Sequence, residues 1–143
     1  MKIGIVGLGR MGAAISQRLR QQGFDVVGWD QNADANRKLA AEGVAIGASA
    51  RGVASEAAIV ISSITEDHGV RGIFNGPAGV LEGDVNGRLF IEMSTLQPMT
   101  GRELAPQVEA KGARLIEAPV LGTIPQAREG KLLAMVGDRK SVV

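Results

Sequence analysis

The chain has 143 residues with 45% hydrophobic and 22% charged side chains, a size and balance that suit one globular domain and exclude a disordered tail, a collagen or a coiled coil. A net charge of +1 and 3% aromatic residues give neither the field nor the stacking surface that nucleic acid or an anionic membrane would need. The absence of cysteine removes disulfides, thiolate metal sites and a cysteine nucleophile, and a single histidine leaves little for a metal, so none is expected.

In chain order, Lys2 to Gly7 is short, β-branched and apolar, the pattern of a strand buried on both faces of a parallel sheet. Met11, Ala14, Ile15 and Leu19 then recur at helical spacing up to Gly23. Asp25 to Trp29 predicts a second strand, Ala33 to Glu42 a helix, Val44-Ala45-Ile46 a short strand and Ala57 to Ser62 a longer one. Asp67 to Phe74 reads as a helix and Asn75-Gly76-Pro77-Ala78-Gly79 as a turn. Leu89 to Met93 is a strand, and Pro98 opens a helix whose Leu104 and Val108 share a face before Gly112. Arg114 to Val120 and Leu132 to Gly137 are the last strands, and Asp138-Arg139-Lys140-Ser141 looks like the start of another helix. No apolar run approaches the roughly 20 residues that span a bilayer, and Arg10, Arg18 and Arg20 interrupt any signal-peptide core. A soluble, cytoplasmic protein is the expectation. Strands alternating with helices predict an α/β fold, a Rossmann-type doubly wound, mostly parallel sheet with helices on both faces.

Glycine is the outlier, at 20 residues about twice its usual share of ~7%. Gly7-Leu8-Gly9-Arg10-Met11-Gly12 matches a dinucleotide fingerprint, with a strand before it and an amphipathic helix after. Gly7 permits the turn, Gly9 lets backbone approach a pyrophosphate, and Gly12 allows helix to pack on strand. Asp30 follows at the end of the second strand, roughly 20 residues on, where a carboxylate can accept from the adenine ribose. That charge would repel a 2′-phosphate and Gln31 supplies none to attract it, so NAD is favoured over NADP. The alternative for Asp30 is a solvated turn aspartate.

Other residues carry two readings each. Thr95 either bonds cofactor or substrate or caps the helix near Pro98, and Ser94 reads as that cap or as a strand-end group. Ile64 and Thr65 fall where a doubly wound fold meets its ligand, at the carboxyl ends of strands. His68 reads as a surface residue, Trp29 as packing, and the Glu66-Asp67 pair as helix-terminal charge.

These motifs together resemble the N-terminal domain of the β-hydroxyacid dehydrogenase family, which includes 3-hydroxyisobutyrate dehydrogenase, tartronate semialdehyde reductase and, more remotely, 6-phosphogluconate dehydrogenase. The glycine motif is its usual opening. Ser62-Ser63-Ile64-Thr65 stands where its fourth-strand loop passes the cofactor. Glu92-Met93-Ser94-Thr95-Leu96-Gln97-Pro98 resembles its acidic-x-Ser-Thr-x-x-Pro segment, whose second hydroxyl lies near the nicotinamide. Glu117-Ala118-Pro119-Val120-Leu121-Gly122-Thr123, with Ala127, Gly130, Lys131 and Leu132, resembles its substrate-binding stretch.

The resemblance implies one dinucleotide-binding domain over residues 1–143. It implies NAD contacts from Gly7, Leu8, Gly9, Arg10, Met11, Gly12, Asp30, Gln31, Ile64, Thr65 and Thr95. Thr95, Leu121, Gly122 and Thr123 would meet a small-molecule substrate, a β-hydroxy acid or its semialdehyde. Two departures stand out. Leu121 replaces the family's substrate-binding serine, which shifts the expected substrate away from the smallest hydroxy acids, and Thr123 replaces a glycine. The family's helical C-terminal domain, with the catalytic lysine and the dimer contact behind the expected homo-oligomer, would lie beyond Val143. No catalytic residue is therefore expected within the chain, and the apolar surface that domain would cover predicts self-association. An imine reductase-like oxidoreductase and a non-catalytic dinucleotide-binding module are the alternatives.

Overall fold

A computed structural model of the chain describes residues 1–137, apart from the side chains of Asp67 and His68, so the placement expected for His68 and the helix expected from Asp138 lie outside the described residues. Six parallel strands form the main sheet: β1 (Lys2–Val6), β2 (Asp25–Trp29), β3 (Ala45–Ile46), β4 (Ile59–Ser62), β5 (Leu89–Glu92) and β6 (Arg114–Glu117). Their spatial order is β3-β2-β1-β4-β5-β6, the doubly wound arrangement that the alternation of elements predicts. Between them run α1 (Arg10–Gln21), α2 (Ala33–Ala41), α3 (Ala50–Glu56), α4 (Asp67–Asn75) and α5 (Pro98–Ala110). A single 3₁₀ turn, Val80–Glu82, follows α4.

Both faces of the sheet are covered, so its strands are apolar on both sides. Ile3, Ile5, Val26 and Ile61 pack with Ile15 of α1 and Leu39 of α2. Val6, Val27, Val60 and Phe90 point to the other face, against Val53 of α3, Phe74 of α4 and Leu104 and Val108 of α5. Phe74 and Phe90 meet at 5.5 Å between ring centroids, tilted by 58°.

The last third departs from the expected strands. Arg114 to Val120 is not one strand: β6 ends at Glu117, where Ala118 still donates to the Glu92 carbonyl at 2.8 Å. Pro119 has no N–H to continue a ladder, and the chain turns out of the sheet there. Val120–Leu121 (β7) pairs antiparallel with Leu133–Ala134 (β8) as a separate ribbon. Leu132 to Gly137 therefore does not extend the parallel sheet; Gly137 forms an antiparallel bridge with Glu117. Between β7 and β8 lies a short helix, α6 (Ile124–Glu129), packed on α1. Leu121 and Leu133 of the ribbon, and Met135 and Val136 after it, are about half or more exposed.

Candidate functional site

Backbone hydrogen bonds tie the carboxyl ends of five strands into one floor. Gly7 donates to the Trp29 carbonyl at 3.0 Å, Ser63 to Val6 at 3.0 Å, Met93 to Ser62 at 2.8 Å and Ala118 to Glu92 at 2.8 Å. The connections after β1, β2, β4 and β5 rise from this floor, and they carry all the residues expected to meet a cofactor.

In the glycine loop, Gly7 has φ +96° and a side chain there would run into the Ser63 carbonyl at 2.2 Å. Gly12 faces the Gly7 carbonyl, which a methyl group would approach to 1.8 Å, so the helix can sit on the loop only without a side chain. Gly9 is the N-cap of α1. No side chain caps the helix and no acidic residue occupies its first turn, and the space beside the Gly9 Cα is open. Leu8 is buried in the core, Met11 is half-buried against it, and Arg10 is exposed. Uncapped amides at the positive end of a helix, beside open space, form a donor set suited to a pyrophosphate.

Asp30 locks the end of β2 to this loop. Its Oδ2 accepts from the Leu8 amide at 2.6 Å and its Oδ1 from the Asn32 amide at 2.8 Å. Asn36 holds the Asp30 backbone from both sides, at 2.8 and 2.7 Å. A carboxylate has about four acceptor positions, so two remain for ribose hydroxyls. Asp30 is thus more than a solvated turn residue. Beyond it, Trp29 and Gln31 line a cleft of ≈ 300 Å³ with Gly69, Gly72, Ile73 and Pro77. This cleft was not evident in the sequence, although Trp29 also packs on the core as expected.

On the other side of β1, Ile64 lies against Gly7 and its amide donates to Ser94 Oγ at 2.8 Å. Ser94 is therefore a strand-end group. The N-cap of α5 is Gln97, with no side-chain cap, so neither Ser94 nor Thr95 caps that helix. Thr65 and Thr95 are exposed on the two loops so joined. Glu66 is the N-cap of α4 without a side-chain hydrogen bond to the helix.

The acidic residue that opens the Ser-Thr segment, to which the sequence assigns no role of its own, lies beneath them. Glu92 ends β5 and is 1% exposed. Its Oε1 accepts from the Ser94 amide at 2.8 Å and its Oε2 from Ser62 Oγ. Burial pushes its carboxyl above the ordinary carboxylate range and the neighbouring Glu117 adds to this, against the hydrogen bonds from Ser62 and Ser94.

Leu121 ends β7, and Gly122 and Thr123 lead from it into α6. Leu121 is 55% exposed, and Thr123 is the N-cap of α6. The Thr123 hydroxyl accepts from the Gln126 amide at 3.3 Å and its own amide donates to Gln126 Oε1 at 2.8 Å. Lys131 pairs with Glu129 at 3.0 Å, both exposed. Among the described residues no group of three or more His, Asp or Glu could hold a metal ion, and no helix is long and apolar enough to cross a membrane.

Comparison with known proteins places this geometry. The chain is 33% identical over 141 residues to zebrafish (Danio rerio) cytokine-like nuclear factor N-PAC, covering 99% of this chain and 30% of that protein. It is 32% identical over 135 residues to mouse mitochondrial 3-hydroxyisobutyrate dehydrogenase, covering 94% of this chain and 40% of the relative. The chain thus spans well under half the length of these relatives. Among solved structures, Mycobacterium tuberculosis 3-hydroxyisobutyrate dehydrogenase with L-serine superposes with a TM-score of 0.88 at 34% identity, over 97% of this chain and 47% of that one. Psf3 in complex with NADP+ and 2-OPP gives 0.88 at 27%, over 96% and 49%. An imine reductase from Streptomyces aurantiacus gives 0.85 at 25%, over 99% and 49%. The family described as the NAD binding domain of 6-phosphogluconate dehydrogenase matches residues 2–143, and the chain belongs to it.

Proposed function

We propose that the chain holds NAD across the carboxyl ends of β2, β1, β4 and β5, as the cofactor-binding part of an oxidoreductase acting on a small β-hydroxy acid or its semialdehyde. The observation that carries this is the Asp30 carboxylate, bonded to the Leu8 amide of the glycine loop with two acceptor positions to spare. The bound cofactor would supply the hydride acceptor or donor. The α1 terminus would hold the pyrophosphate, Asp30 the adenine ribose, and the Trp29–Gln31 cleft the adenine. The Ile64–Thr65 and Ser94–Thr95 loops would wall the nicotinamide half. Asp30 opposes a 2′-phosphate and Gln31 offers it no charge, which favours NAD. Leu121, Gly122 and Thr123 would meet the substrate by family resemblance, with an apolar group where a hydroxyl is usual.

Calorimetric titration tests the cofactor assignment. NADH should bind more tightly than NADPH, and Asp30→Ala should weaken NADH by about 1–3 kcal/mol as the charge-assisted bonds are lost. Tighter binding of NADPH by the unmodified chain would overturn it. The apolar Leu121 and the likeness to an imine reductase support a second reading, in which the substrate is a less polar imine. A substrate panel comparing the native residue with Leu121→Ser separates the two.

A further inference from the structure

We propose that Glu92 is a positioning residue that sets the two loops on the nicotinamide side of the crevice in register with one another. The inference rests on the cofactor assignment above and adds a residue to it. Ser62 ends β4 and Ser94 follows β5, and the two strands run parallel with Ser62 beside Glu92. One carboxyl group joins both: Oε2 receives Ser62 Oγ and Oε1 the Ser94 amide. Ser94 Oγ then accepts from the Ile64 amide at 2.8 Å, which closes a relay from β5 back to the loop that follows β4. Thr65 and Thr95 are the next residues outward on each loop. Their separation is therefore set by a polar group that no solvent reaches, since Glu92, Ser62 and Ser94 are 1%, 2% and 7% exposed.

A second carboxylate borders the site from the far side. Glu117 occupies the register position beside Glu92 on β6, and its carboxylate lies against Gly101 of α5. Both carboxyl oxygens of Glu92 are engaged in this buried place: Oε1 accepts from the Ser94 amide and Oε2 from Ser62 Oγ. A glutamine keeps both links, with its oxygen toward the Ser94 amide and its amide hydrogens toward Ser62 Oγ, a hydroxyl that can turn to accept. Alanine reproduces none of it and leaves a buried hydroxyl and a buried amide unpaired.

Two readouts test this. In the first, NADH is compared with ADP-ribose, which keeps the adenosine and pyrophosphate but lacks the nicotinamide. Glu92→Ala should weaken NADH about tenfold, the size of one lost buried hydrogen-bond set, and leave ADP-ribose within about twofold. Glu92→Gln should restore NADH. Equal losses for both ligands, or no loss for either, would overturn the proposal. Ser94→Ala, which removes the hydroxyl between Ile64 and Glu92 and leaves the Ser94 amide in place, should show the same selective loss, and unchanged NADH affinity there would also overturn it. The second readout needs no ligand. Hydrogen exchange at the Ile64 and Ser94 amides should quicken about tenfold in Glu92→Ala and stay protected in Glu92→Gln. Loosening across the whole sheet would show a merely structural role and would also overturn the proposal. Should the unmodified chain bind neither ligand while exchange behaves as stated, the cofactor assignment falls and the positioning role of Glu92 stands.

Discussion

At Glu92 a carboxyl group gives up water that its charged form would keep, and the hydrogen bonds from Ser62 and Ser94 offset this only in part. Its titration in the folded chain therefore lies above that in the unfolded chain, and folding takes up a proton wherever the pH falls between the two. The contribution to stability is fully present at low pH and is lost as pH rises through the folded value. Glu117, the charged neighbour in register on β6, pushes the same way. Thermal melts of the native chain and of Glu92→Gln should thus diverge as pH rises, with the glutamine form gaining on the native one. A gap in Tm that does not change with pH would show that Glu92 does not titrate in this way. Sequence alone could not supply this. The burial of Glu92 depends on β4, β5 and β6 lying side by side, and its partner Ser62 is thirty residues away. The place of Asp30 at the end of β2, in contrast, was legible because the strand, the glycine loop and the spacing between them are all local.

Whole elements divide along the same line. β1, α1 and β2 were readable because each is long enough to show its period, and Ile15 and Leu39 mark the faces that α1 and α2 bury. α3 was missed because Ala50, Val53 and Ala54 bury a face too small to stand out in seven residues. α6 was missed because it buries Ala127 alone and carries Pro125, although its Thr123–Gln126 capping box was present in the sequence. The run Leu132 to Val136 reads as a buried strand because it is apolar, yet Leu133, Met135 and Val136 are exposed. Apolarity reports a preference to leave water and does not name the neighbour. So short a helix leans heavily on its cap. Thr123→Ala should cost about 1 kcal/mol and lower Tm by about 2–4 °C. A melt unchanged by this substitution would mean that packing on α1 alone holds α6.

Taken whole, the chain gathers its candidate cofactor residues at the carboxyl ends of one parallel sheet. The glycine loop, Asp30 and the strand-end floor suit a cofactor, while none of its lysines falls in the motif that supplies the family's acid–base group. Purified chain given NAD and a panel of β-hydroxy acids should bind the cofactor and show no sustained formation of NADH. Acid–base help is worth about 10²–10⁴-fold and positioning adds more, so turnover near ~1 s⁻¹ would mean that a catalytic group lies within these residues. The sheet's borders have a further consequence. β3 is two residues long, and β6 is only four, with its last residue already bridged to Gly137 and its first a charged Arg114. An incoming strand finds only short stretches of open backbone there, so edge-to-edge stacking is disfavoured at both borders of the six-stranded sheet. Copies of this chain that meet through the exposed Leu121, Leu133 and Val136 would join by side chains and not by a shared backbone ladder.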